Sequence, residues 1–208
     1  MKRILIAGVA GAIVLFVWSS ISWMVIPWHR MEKLPAEAAV AKTLRVANTE
    51  KGVYWLPGID FSIDQSALTG AETTAMQDAW KQAYKDGPIV MIAYDPDGTS
   101  PLGIMKFITG FVLDFFVAAV AAILLMLAAP SLPGLPGRVI FVVLLGVYTV
   151  FGANLMNWNW MNYPLKFTLE LAGDTLVASA LLGVTLAVLV RPGTETGDDI
   201  DYEVPAGA

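Results

Sequence analysis

The chain has 208 residues, 56% of them apolar and 15% charged; soluble domains carry about a quarter charged residues, so an ordinary water-soluble globule is excluded in favour of lipid. Thirteen basic against 18 acidic residues, a net charge of -5, argue against nucleic acid as a partner. The absence of cysteine excludes disulfides, thiolate metal sites and thiol nucleophiles.

The first predicted element, residues 1–27, is a transmembrane helix. Its sequence from Ile4 to Pro27, ILIAGVAGAIVLFVWSSISWMVIP, contains no charge, and about 20 such residues cross the hydrocarbon core at 1.5 Å each. The run follows Lys2-Arg3, outlasts a secretory h-region and ends in no A-x-A site, so it reads as an uncleaved anchor. Residues 28–106 read as a small periplasmic α/β domain. A helix opens at Pro35-Ala36-Glu37 and runs to about Ala47, and Val53-Tyr54-Trp55-Leu56 forms a strand stopped by Pro57-Gly58. A second helix, Ala71–Lys85, carries Met76, Trp80 and Tyr84 as its bulky face. A second strand, Ile89–Tyr94, ends in the turn Asp95-Pro96-Asp97-Gly98. Two helices and two short strands make a thin core, which predicts packing on outer loops or on a partner.

Three further spans follow: residues 107–129 with Asp114, residues 139–158 without charge, and residues 168–190 with Glu170 and Asp174. Pro130–Gly137, PSLPGLPG, reads as a tight connection. Residues 191–208 form an acidic tail, expected to be cytoplasmic and disordered. The fold class is therefore mainly α: a four-helix transmembrane bundle with a small periplasmic α/β insertion between helices 1 and 2. The spans differ in polar content and show no internal repeat, against an inverted-repeat transporter.

Lys2, Arg3, Arg138 and Arg191 fall on one side of a four-span frame, which predicts both termini in the cytoplasm of a bacterial inner membrane. The opposite boundary gathers Trp23, Trp28, Trp158, Trp160 and Tyr163, with His29 at its mouth. Such rings favour the headgroup layer, and a lone histidine there reads as a structural or headgroup contact.

Charged groups inside a bilayer cost about 2.5–3.5 kcal/mol at a helix centre on insertion scales. Asp114 and Asp174 each lie about 10–12 Å below the outer surface by residue count. Glu170 is one turn from Asp174, and Asn154 comes from the outer part of the third span. Gly110, Asp114, Ala118 and Ala122 form a small-residue row that turns Asp114 inward. The expectation is one polar cluster of Asp114, Asn154, Glu170 and Asp174, with Ser19, Ser20 and Ser22 nearby. Three uses stay open: a structural register, contact with a partner subunit or lipid, and a proton or hard-cation site. No basic residue in the spans pairs with these carboxylates.

Other chemistry is weakly indicated. The serines lack a G-x-S-x-G setting, and no H-E-x-x-H, P-loop or dinucleotide fingerprint occurs. No cofactor, metal set or catalytic residue is expected, and no nucleophile–base pair can be assembled from the pattern.

Phe16-Val17-Trp18, Ser22-Trp23-Met24-Val25-Ile26-Pro27-Trp28-His29, Gly52-Val53-Tyr54-Trp55-Leu56-Pro57, Asn157-Trp158-Asn159-Trp160 and the aspartate of the fourth span resemble a family of uncharacterised bacterial inner-membrane proteins. The resemblance covers most of the chain and implies four spans, without an activity or site residues. The expected function is a non-enzymatic accessory or assembly subunit of a larger membrane complex, in contact with lipid and other subunits. The alternative is a small cation- or proton-handling protein using the intramembrane carboxylates.

Overall fold

The computed structural model describes residues 2–29, 31–47, 50–60, 62–132 and 134–190; the predicted acidic tail, 191–208, lies outside the described residues. The regular elements in chain order are α1 (Lys2–Met24), α2 (Glu37–Val46), β1 (Gly52–Leu56), α3 (Gly70–Asp86), β2 (Val90–Tyr94), α4 (Ile104–Ala128), α5 (Gly134–Thr149), α6 (Leu155–Trp160) and α7 (Leu165–Leu189). Among the described residues, four helical segments are long and apolar enough to cross a membrane: α1, Ile104–Ser131, Gly134–Trp160 and α7. The chain is an integral, multi-pass membrane protein, mainly α, with one two-stranded sheet.

It divides into two compact units. Among the described residues, the first takes the chain up to His29, Ile104–Leu155 and the chain from Lys166 to Val190. Its core is built from Ala7 and Leu15 of α1, Ala118, Ala122 and Leu125 of α4, Val142 of α5, and Leu182 and Leu186 of α7. Around it, alanine and glycine together make up most of the buried residues of these helices, because helices in lipid associate by close approach rather than by escaping water. A Cβ added at Gly11 would lie 2.6 Å from the Ala118 Cβ and 2.7 Å from a Leu182 methyl, so three helices touch there. Phe16 packs edge-on to Phe107 and Phe111, with ring centroids 6.4 and 5.8 Å away. Gly8 abuts Phe115 and Ala119. The contacts run in opposite senses along the two helices, so α1 and α4 are antiparallel.

The third crossing differs most from expectation. The proline–glycine stretch does not end at a loop: Gly134–Gly137 already form the first turn of α5, and Pro130 sits in a 3-10 turn, Ala129–Ser131. Pro136 is tolerated because N–H groups in a first turn have no helical acceptor anyway. Further on, Val150–Asn154 winds as a π-helix, which a 3.6-residue period does not announce. Lys166, just ahead of the span expected at residues 168–190, lies in the first turn of α7. At the far end of α7, buried Arg138 donates from Nη1 to the carbonyls of Ala187 and Val190 at 3.5 and 3.3 Å. A cation there satisfies groups that a helix C-terminus leaves orphaned and opposes its negative dipole end.

The second unit comprises the chain between His29 and Ile104 together with Met156–Leu165. β1 and β2 pair antiparallel with Gly52 opposite Tyr94 and Leu56 opposite Val90. Just past the paired ends, Lys51 Nζ lies 2.8 Å from Asp95 Oδ2. α3 opens on a capping box: the Thr69 hydroxyl accepts from the Glu72 N–H, and the Glu72 carboxylate accepts from the Thr69 N–H. Its half-buried residues are Thr73, Met76, Trp80 and Tyr84, one face at helical spacing. Trp80 donates to the Pro57 carbonyl at 3.2 Å. Asn162, from the returning segment, donates to the Tyr84 hydroxyl. Among the described residues of this unit, none is fully buried.

Candidate functional site

The end of α1 builds a polar site on Asp174. Trp18 and Ser22 are four residues apart and therefore share one face. The helix stops at Met24, and the N–H groups of Val25 and Ile26 both donate to the Ile21 carbonyl, each at 3.0 Å. Ile26 thereby bypasses the Ser22 carbonyl. Pro27 then offers no N–H, and the chain folds back so that the Trp28 indole donates to that carbonyl at 3.0 Å. This return brings His29 onto the helix it has just left.

His29 stacks on Trp23 with centroids 4.3 Å apart and leans on Trp28 at 5.1 Å. Its side chain is 1% exposed. Asp174 of α7 accepts on Oδ1 from Trp18 Nε1 and from the Ser22 hydroxyl, both at 2.7 Å. Its Oδ2 lies 3.7 Å from His29 Nε2. The Ser22 oxygen is in turn 3.1 Å from both His29 Nε2 and Trp28 Nε1. Because the serine proton is directed to Asp174, Ser22 acts as acceptor for the other two groups. That count assigns the proton on Nε2 to His29. His29 Nδ1 is buried without a partner among the described residues.

Chemically this is a hydrogen-bond network between α1 and α7 that leaves His29 Nδ1 over. A serine relay for acyl transfer needs the serine to donate to histidine and the carboxylate to hold the opposite ring nitrogen. Here Ser22 donates to the carboxylate, and Ser22 and Asp174 both address Nε2. Ser22 is fully buried, with no exposure to an incoming carbonyl. The geometry is that of a tie between α1 and α7.

The four residues expected in one polar cluster separate into three settings. Asp174 joins α1 as described. Asn154, brought round by the π-helix, donates to the Thr175 hydroxyl at 3.4 Å, one residue along α7. Asp114 and Glu170 are half-buried and have no hydrogen-bond or ionic partner among the described residues. The expected common depth is also corrected. From the level where Gly11, Ala118 and Leu182 meet, Asp114 stands about 6 Å and Asp174 about 12 Å toward the Met24 end of α1, counting 1.5 Å per residue. Among the described residues no group of three or more His, Asp or Glu lies close enough to hold a metal ion.

Two further expectations change. His29 is enclosed rather than open at a mouth, its side chain 1% exposed, and it supplies the basic partner that the spans lack. Of the three serines only Ser22 reaches the site, since Ser19 and Ser20 donate back to the Phe16 carbonyl at 3.0 and 2.8 Å. Trp23 and Trp28 belong to the first unit, and Trp158 and Trp160 to the second. Trp18 was the residue missed, and its signal was the four-residue spacing to Ser22 on an otherwise apolar helix. Comparison with protein-family models, curated proteins and solved structures finds no match.

Proposed function

We propose that this protein is a non-catalytic accessory or assembly subunit of a larger complex in a bacterial inner membrane. Both termini are cytoplasmic and the second unit is periplasmic in this reading, as the basic flanks and the resemblance to four-span bacterial proteins indicate. One observation carries it: among the described residues of the second unit none is fully buried. A folded piece of this size ordinarily encloses part of its apolar surface. This one leaves Val53 71%, Leu102 67% and Met31 75% exposed. Apolar surface displayed on that scale marks a contact face for another chain. The first unit supports the same conclusion, because its most polar site ties helices together and has no relay for catalysis. The alternative of cation handling gains nothing, since Asp114, Glu170 and Asp174 do not converge.

Gentle extraction from native membranes followed by native sizing should give a species much larger than 22.4 kDa plus its micelle. A lone monomer under those conditions ends this reading.

A further inference from the structure

The first unit carries a cleft of about 510 Å³ between α4 and α5. Val117 and Val120 line it from α4, Leu145 and Tyr148 from α5, and Ser179 and Leu182 from α7. Along α4 it reaches from Phe116 to Leu124, about 12 Å at the helical rise. Volume over length gives a mean section of about 40 Å², roughly half that of a helix 10–12 Å across. The cleft therefore accepts the side chains of a helix lying over it, as ridges enter grooves, and not the helix itself.

Asp114 lies one turn from Val117, on the strip of α4 between the residues that line the cleft and those that face α1. A Cβ placed at Gly110, one turn further, meets nothing within 4 Å, so the flank beside the carboxylate is open. An acidic group at this depth needs a cation or donor, and none of the described residues supplies one. Charge complementarity names the occupant. Among the described residues of the first unit, a second copy of this chain has no cation to offer at the level of Asp114: Lys2 and Arg3 begin α1, Lys106 is two turns away along α4, Lys166 begins α7, and Arg138 is spent on the end of α7.

We infer that this face receives a transmembrane helix of a different protein, with apolar side chains in the α4–α5 cleft and a lysine or arginine against Asp114. The inference rests on the subunit reading and names where the partner binds. It is tested on the full chain in its native membranes, with the photo-reactive residue benzoylphenylalanine at Val120 and, as control, at Ile6 of α1. The Val120 probe should give one discrete adduct whose cross-linked peptide is a membrane span containing Lys or Arg, absent from the Ile6 probe. Asp114→Lys should lower that adduct about tenfold or more, because like charge is set against the partner. Should that variant fail to accumulate, Val117→Trp, which fills the cleft, reads the same adduct. Adducts to lipid alone, adducts to a second copy, or an adduct indifferent to these substitutions overturn the inference. A large native species that persists alongside such a result leaves the subunit reading standing; a monomer removes that reading itself.

Discussion

Asp174 accepts from two donors of α1 and faces His29, and the chemistry of these contacts decides what its loss would do. Two N–H or O–H donors meet one of its oxygens at 2.7 Å, short enough for charge-assisted bonds. Replacing it with leucine leaves Trp18 and Ser22 without their acceptor. We expect Asp174→Leu to destabilise the bundle by about 1–3 kcal/mol, and Asp174→Asn, which keeps one acceptor oxygen, by less. Thermal unfolding in detergent, followed by tryptophan fluorescence, reads both, and equal stability of Asp174→Leu and the parent would refute the tie. The sequence made Asp174 visible because an acid in an apolar run is expensive. It did not make the partners visible, since Ser22 stands 152 residues earlier and no local pattern links them. His29 was read as a structural or headgroup contact without a named partner for the same reason: the fold-back through Pro27 is a matter of backbone geometry, not of composition.

At the level of elements, bilayer thickness fixes how long an apolar helix must be, which is why all four crossings were readable from residue type. Their ends were less so. α5 starts within a proline–glycine stretch that ordinarily signals a break, and its π-helical turn follows from no periodicity. Helix contacts depend on side chains small enough to vanish. The Gly146 position would bring a Cβ to 2.6 Å from the Ser179 Cβ, and Gly11 is as tight against Ala118 and Leu182. Gly11→Leu and Gly146→Val should each cost about 1–3 kcal/mol by overpacking. Gly110→Ala, which meets no neighbour, should leave stability unchanged. Melting temperatures of the three variants in one detergent check the contrast, and a Gly110→Ala loss equal to that of Gly11→Leu would contradict it.

For the whole molecule, the two units should respond differently to acid. In the second unit, backbone and hydroxyl hydrogen bonds from Thr69 hold the Glu72 carboxyl below its ordinary range. The Ser62 and Ser66 hydroxyls do the same for Asp60 and Asp64, and the Lys51 ammonium for Asp95. Groups depressed in this way stabilise above their unfolded values, near pH 4, and that contribution is lost as pH falls through the folded ones. Lys51 is raised, chiefly by its hydrogen bond to Asp95, so its share is present below its unfolded value, about 10.4, and fades as pH climbs past the folded one. Limited proteolysis across pH should find cuts in the second unit appearing below about pH 4 while the membrane helices stay protected; simultaneous loss of both would count against it. The small α/β make-up of this unit was legible from strand and turn residues. Its lack of a sealed interior was suggested only by the shortness of its strands, because burial depends on how the pieces meet. The tie between α1 and α7 also bears on how the chain is made. Synthesis at 5–20 residues per second puts roughly 8–30 s between the emergence of Ser22 and that of Asp174, 152 positions later. Throughout that interval the leading helix resides in the lipid with its serine and tryptophan donors uncommitted, open to any chaperone or insertase that offers an acceptor in the meantime.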